Sequence, residues 1–359
     1  MRIALICPSN MLFMPYVDNY VKILKENEVD FTIINWDRLH LGQEGNILSY
    51  KDKKVGHQRG YLSYYRYSRF IVRQLKHSEF DKVIVFGIQL TYFLKAYLQK
   101  RYKENYIMDI RDYNKSLKLF TIKKSIDSSF FTTISSPGYK EWLPTSSKYV
   151  INHNTTVKNI GKLERPILKS VGRPLNISYV GTITNLDVNL QLIHELQNNP
   201  DYFLKFHGDG MINEDIEQYV KEKEIHNVSI KGRYQKNEEV WLYKQADLVN
   251  MLLFSDHINN RTCLSNRLYN AVIHGKPLLS LNNTYLSDVI EQYKLGLVVD
   301  SLSEISQKLN QYVNNFNEAE YEKGREAFLH TVIEENANFK MRLEEFISGD
   351  TSKYKRGDE

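Results

Sequence analysis

Residues 265–280 read SNRLYNAVIHGKPLLS, and this pattern decides the fold. Leu268, Ala271 and Val272 recur at spacings of three and one, which puts them on one helix face. Gly275 stops that helix, Lys276-Pro277 turns the chain, and Leu278-Leu279 opens a short apolar strand. A helix running through a tight turn into a buried strand is a building unit of α/β proteins. The start of such a helix offers unpaired backbone amides and the positive end of its dipole, which favour an anion. Asn266 and Arg267 lie in that first turn, and Arg267 carries the donor fork that suits phosphate oxygens. Asn270, four residues after Asn266, faces the same side. Taken alone, the spacing favours a packing helix with a solvated Arg267.

Working outward, strand and helix patterns alternate along the chain. Residues 2–8 read as a strand, 16–27 as a helix and 29–35 as a second strand, a β-α-β opening that predicts a parallel, doubly wound sheet. The first loop lacks G-x-G-x-x-G, which argues against a nicotinamide or flavin site. Ser9 and Asn10 in that loop are candidate cleft residues, because ligands gather at strand carboxyl ends; turn chemistry explains them as readily. Residues 39–60 are polar and read as a loop. Strands follow at 82–87, 106–110, 130–135 and 149–154, with helices at 61–77, from 88 to about 100, and through 142. Asp109-Ile110-Arg111-Asp112 crowds charge at one strand's carboxyl end. Asp112 is a candidate to orient a substrate hydroxyl or take its proton; an Arg111–carboxylate pair pinning a loop is the alternative. Residues 155–174 are charged, poorly periodic and linker-like. A second series then supplies strands at 177–180, 202–206, 228–231, 248–253 and 296–299, closing with helical segments over 303–347.

Bulk properties bound the function. The chain has 359 residues, 42% hydrophobic and 25% charged, enough for two soluble domains. It has no apolar run of about 18 residues to span a bilayer. The opening MRIALICPSN reads as a first strand and is too short in its apolar part for a secretory signal. Cys7 and Cys263 stand far apart and read as free thiols. Residues 1–150 carry 24 Lys+Arg against 14 Asp+Glu, a net of +10, which leaves −5 for the rest. A basic front half implies an anionic partner there. No nucleic-acid-binding motif accompanies it. Residues 61–77, YLSYYRYSRFIVRQLKH, place Arg66, Arg69, Arg73 and Lys76 among Tyr61, Tyr64, Tyr65, Tyr67 and Phe70. That pattern suits either a membrane-surface helix or a core helix with a solvated basic face.

The signature stretch resembles the donor-site helix of GT-B glycosyltransferases, in particular the retaining group that builds bacterial capsule and lipopolysaccharide, whose pattern is roughly P/S-N-K-L-x-E-Y/A-x-A-x-G-K/V-P-V-I. Ser265, Asn266, Leu268, Gly275, Lys276 and Pro277 match it, with Arg267 where Lys is usual. Asn270 stands where the family has a ribose-gripping Glu, and the companion Glu falls on Thr262, so both carboxylates are absent. Further landmarks follow in order: Tyr179-Val180-Gly181 for the family's Y-V-G-x-L, His207-Gly208-Asp209-Gly210 for its G-x-G, Gly232-Arg233-Tyr234 for its F-x-G-x-V, and Ala246-Asp247 for its Y-x-x-A-D. The loop 181–189 lacks the family's basic residue.

The resemblance implies two doubly wound, Rossmann-like domains facing a cleft: an acceptor-side domain over 1–155, a linker over 156–174, a nucleotide-sugar domain over 175–335, a helix over 336–347 crossing back, and a disordered tail over 348–359. It implies transfer of a sugar from a nucleotide diphosphate sugar, UDP-sugar foremost, to a glycan or polyprenyl-linked acceptor. The implied donor residues are Gly181, Thr182, Thr184, Gly208, Gly210, Arg233, Tyr234, Arg261, Ser265, Asn266, Arg267, Leu268 and Asn270, with Arg267, Arg111 and Asp112 as catalytic candidates. The family's His falls on Arg111, which cannot act as a base. No metal or other cofactor is expected: the chain has no D-x-D triplet, and His257 has no paired ligand at a sensible spacing. The implied location is cytoplasmic or peripheral on the inner membrane face, without nucleic acid. The missing carboxylates leave two alternatives, a non-catalytic GT-B partner subunit and a UDP-sugar epimerase.

Overall fold

The computed structural model describes residues 1–42, 45–155, 157, 160, 161, 163, 166, 168 and 173–349. Most of the expected linker, and the expected tail from residue 350 onward, lie outside the described residues. The chain forms two compact units, one from residues 1–153 and 334–359, the other from residues 154–333.

In the first unit, β1 (Arg2–Cys7), α1 (Val17–Glu26), β2 (Asp30–Trp36), β3 (Ile47–Tyr50), α2 (Tyr61–His77), β4 (Lys82–Phe86), α3 (Ile88–Arg101), β5 (Tyr106–Ile110), α4 (Lys123–Ser128), β6 (Phe131–Ile134) and β7 (Tyr149–Ile151) follow in order. The strands form a parallel seven-stranded sheet, ordered β3-β2-β1-β4-β5-β6-β7. Central strands read as continuous apolar runs because helices cover both faces. Two expectations change here. The polar stretch 39–60 contains β3, a half-buried edge strand paired in register with β2. The expected helix through Trp142 is a short 3-10 segment, Pro137–Glu141.

The helix α2 has its expected span, but its aromatic side faces inward. Tyr64, Tyr67, Ile71 and Leu75 are buried, and Trp36 lies against Tyr67 at 4.8 Å between ring centres. The Tyr67 hydroxyl lies within hydrogen-bond distance of the Cys7 carbonyl (2.8 Å) and the Ile34 carbonyl (2.9 Å). Tyr67→Phe therefore removes the one hydroxyl proton these two buried carbonyls share and is expected to cost about 1–2 kcal/mol in a urea melt.

The second unit runs β8 (Leu175–Val180), α5 (Leu186–Leu196), β9 (Tyr202–His207), α6 (Asn213–Glu222), β10 (Val228–Lys231), α7 (Glu239–Gln245), β11 (Leu248–Asn250), α8 (Ile258–Thr262), α9 (Asn266–Ile273), β12 (Leu278–Leu281), α10 (Tyr285–Gln292), β13 (Gly296–Val299), α11 (Ile305–Asn314) and α12 (Glu318–Ser348). Its six strands form a second parallel sheet, ordered β10-β9-β8-β11-β12-β13. The expected strand 248–253 ends at Asn250, and the loop after it holds the short helix α8. The closing helix α12 is continuous across the unit boundary. Phe328, Leu329 and Val332 join the core of the second unit. Phe339, Leu343, Phe346 and Ile347 join the core of the first, where Tyr20 meets Phe339 edge-on at 5.0 Å. The Lys82 ammonium caps the end of α12 through the Phe346 and Ile347 carbonyls. Among the described residues no helix is long and apolar enough to cross a membrane.

Candidate functional site

In the second sheet the strand order reverses between β8 and β11. Ligands of open parallel sheets collect at such a switch point, outside the strands' carboxyl ends. Arg267, in the first turn of α9, bridges that place. Its Nη1 donates to the Asn250 carbonyl at the end of β11 (2.6 Å), and its guanidinium carbon lies 3.4 Å from the centre of the Tyr179 ring on β8. Burial alone would raise the Tyr179 phenol, but Arg267 and bonds from Thr184 hold it below its ordinary value. The Tyr179 hydroxyl also bonds the Thr182 carbonyl (3.1 Å), anchoring the loop after Gly181. Asn250 continues the network through Asn189, whose amide donates to the Thr184 and Asn185 carbonyls.

Two polar atoms at the start of α9 are buried without a hydrogen-bond partner among the described residues, Arg267 Nε and Ser265 Oγ. Ser265 occupies the N-cap position but makes no side-chain capping bond; the Leu268 amide donates to the Ser265 carbonyl (3.1 Å), which leaves the Asn266 and Arg267 amides uncapped among the described residues. Asn266 is exposed there, and Thr182 and Thr184 are exposed on the adjacent loop. The unpaired Arg267 Nε beside uncapped helix amides suits an anion, whereas Thr184 Oγ1 is already engaged by Asn185 Nδ2 (2.8 Å) and the Tyr179 hydroxyl (3.3 Å).

Other candidates fall elsewhere or have structural duties. Leu268 is wholly buried in the core of the unit, which excludes contact with a ligand. Gly208 and Gly210 are required by packing: a Cβ at either would stand 2.0 Å from the carbonyl oxygen of Gly181 or Ile183. Arg261 lies in the last turn of α8, reaching the Ser255 carbonyl at 3.4 Å. Arg233 is exposed beyond β10. His257 caps α8, its ring accepting from the Asn259 amide.

Sequence reading missed a carboxylate. Glu239, on α7, accepts from Asn270 Nδ2 (3.1 Å) and from the Tyr234 hydroxyl (3.4 Å) and pairs with Lys236. Burial and Glu239 together push the Tyr234 phenol up to about 12. Asn270 therefore has a carboxylate beside it, delivered from another helix 31 residues away in the chain.

In the first unit, Arg111 is spent on structure. Its guanidinium makes a bidentate pair with Asp109 (2.6 and 2.7 Å) and donates to the Asn152 carbonyl and side chain (3.0 and 2.9 Å). Its other face lies over the Tyr16 ring. Asn10 is likewise consumed: wholly buried, it donates to Asp37 and accepts from the Arg38 and Leu39 amides. It shapes the loop rather than offering a free group. Ser9 is half-buried. Asp112 is exposed and makes no hydrogen bond among the described residues.

No family model matches the chain, and no curated protein sequence does. Solved structures match along nearly the whole length. Sucrose-phosphate synthase from Thermosynechococcus elongatus superposes with a TM-score of 0.69 at 12% identity, over 98% of this chain and 100% of that one. A glycosyltransferase from Rickettsia africae gives 0.65 at 12%, over 97% and 99%. Anabaena HepE, solved with UDP and glucose, gives 0.65 at 12%, over 96% and 99%. The fold of this chain is that of the GT-B glycosyltransferases.

Proposed function

We propose that the protein is a glycosyltransferase. It moves a sugar from a nucleotide diphosphate sugar, a UDP-sugar, to a hydroxyl of a glycan or polyprenyl-linked acceptor in bacterial surface polysaccharide synthesis. The observation that carries the reading is Arg267, set at the switch point of the second sheet with Nε unpartnered beside an uncapped helix start. A diphosphate leaving a sugar develops charge, and fixed donors at that place stabilise it in the transition state. Arg267 and the α9 amides are the groups assigned to it, and Asp112 is assigned to the acceptor hydroxyl. The UDP complex of a structure with the same fold supports uridine as the base. The absence of a D-x-D triplet supports a metal-independent reaction, and the resemblance of the signature helix supports retention at the anomeric carbon. The proposed location is cytoplasmic, where nucleotide sugars are made.

Arg267→Ala is expected to lower kcat/KM for the donor by a factor worth ~1.5–3 kcal/mol, the scale of a charge-assisted bond. Because Arg267 also stacks on Tyr179, the variant should melt somewhat lower. Donor kinetics measured well below that melt separate the two effects, and Arg267→Lys should recover charge without the fork. Unchanged donor kinetics in the folded Ala variant would remove Arg267 from the diphosphate site.

A further inference from the structure

The two faces of the second sheet differ beyond β8. On one face Leu204, Phe206, Val228 and Ile230 join the core that also holds Ile177 and Tyr179. Side chains alternate along a strand, so the intervening residues of β9 and β10 belong to the other face. The register there sets Ser178, Lys205 and Ser229 in one row across β8, β9 and β10. Val180, His207 and Lys231 form the next row toward the carboxyl ends. Val180 belongs to the core that α7 and α9 complete. Lys205 and Ser229 are half-buried and Lys231 is exposed, so the covering of this face thins from β8 toward the edge strand β10.

Two polar atoms buried in these rows, His207 Nε2 and Ser178 Oγ, have no hydrogen-bond partner among the described residues. His207 is 4% exposed and Ser178 is fully buried. Neither Lys205 nor Lys231 makes an ion pair or side-chain hydrogen bond among the described residues. Like charge meets like instead. Burial, Lys231 and Lys205 push the His207 imidazole down to about 4. Burial, Arg173 and Lys231 lower the Lys205 ammonium against the pull of Asp247. Asp247 is itself engaged by Arg173 and the Asn176 amide. Like charges on neighbouring strands destabilise a sheet. Charge on an edge strand guards against stray pairing, which accounts for Lys231. It accounts neither for Lys205 on the interior strand β9 nor for a histidine buried with an open nitrogen. Local rules broken in this way mark functional sites in folded proteins.

We propose that Lys205, Lys231, His207 and Ser178 form a site for a phosphate dianion, free or as a monoester, on the open face of β9 and β10. Charge complementarity names the ligand: two ammonium groups match a double negative charge, of which a carboxylate supplies half. The imidazole and the hydroxyl supply donors at the buried end, where each lacks a partner. A bound dianion also offsets the repulsion between the lysines, so the cluster is best satisfied when occupied. The site shares no residue with the polar surface at the start of α9, and it stands whether or not that surface holds a nucleotide sugar.

The test is calorimetric titration of the full chain with sodium phosphate, in sodium chloride at constant ionic strength. Saturable binding is expected, weakened about tenfold by each of Lys205→Gln and Lys231→Gln and unchanged by Arg267→Ala. Lys205→Gln should melt no lower than the parent in chloride, because it removes repulsion, so its loss of binding is not a loss of fold. In histidine-selective NMR the His207 Nε2 signal, assigned by its absence in His207→Gln, should move as phosphate is added. Tighter binding of glycerol phosphate than of inorganic phosphate would support the site with a monoester as its occupant, and the reverse would support it with the free ion. No saturable binding, equally tight binding of acetate, binding lost in Arg267→Ala but kept in both Lys variants, or a His207 signal that does not move would overturn the inference. No nucleotide sugar enters the assay, so its outcome is independent of the donor reading.

Discussion

Asp109→Ala is expected to destabilise the first unit by about 3–5 kcal/mol, the cost of stripping one partner from a buried ion pair. Asp109 sits at the carboxyl end of β5 with no solvent exposure. It takes two bonds from Arg111 and one from the Tyr20 hydroxyl (2.6 Å). Burial alone would depress ionisation of the Arg111 guanidinium; Asp109 more than reverses this, holding it firmly charged. Without Asp109 that charge keeps the Asn152 oxygens, the Tyr16 ring and the nearby Asp112 carboxylate. Denaturant unfolding followed by circular dichroism measures the loss. A double variant, Asp109→Leu with Arg111→Met, removes both charges and should recover much of it. If the single variant is as stable as the parent, the pair does not hold this strand end and Arg111 regains its candidacy for a ligand role.

Gly208→Ala should be comparably severe in the second unit, roughly 3 kcal/mol or more. Gly208 has φ +139°, and a Cβ there would stand 2.0 Å from the Gly181 carbonyl oxygen. Both partners are backbone, so no rotamer change relieves the clash. Gly181 itself has φ +125° and is anchored by the Tyr179 hydroxyl through Thr182, which couples any shift to the Arg267 surface. Gly232→Ala is the control: its Cβ would meet Asp209 Oδ1 at 3.4 Å, an ordinary contact, and the cost should stay within about 0.5 kcal/mol. Equal melting temperatures for the two variants would contradict the account of how the β8 and β9 loops pack.

The fold was legible because central parallel strands are buried on both faces and read as apolar runs: 2–7, 82–86 and 106–110 carry that signal in a few residues. The edge strand Ile47–Tyr50 was not, since a half-buried strand among lysines has no run to show. The amphipathic pattern of 61–77 located a helix but left open which face is inside. Trp36, remote in sequence, settles that by packing on Tyr67. Of the candidate site, Arg267 and the start of α9 were singled out by helix-start chemistry together with the resemblance of 265–277 to a donor-site helix. The duties of Arg111, Asn10 and Leu268 were not, because residue type does not reveal whether a polar group is already satisfied or an apolar one already buried. Glu239 was hidden for a further reason: it reaches Asn270 from a different helix, and no local spacing encodes that.

The central claim, that the second unit holds a nucleotide sugar at the start of α9, is tested most directly by thermal shift and donor hydrolysis against UDP-, GDP-, TDP- and CMP-sugars, with and without EDTA. A ligand bound at about 100 times its Kd stabilises by about 2.7 kcal/mol, a readily measured shift. A shift with the UDP-sugars that survives EDTA and is lost in Arg267→Ala, with slow release of free sugar, is the predicted result. The absence of any shift with every nucleotide sugar would contradict the claim and leave the fold without a donor site.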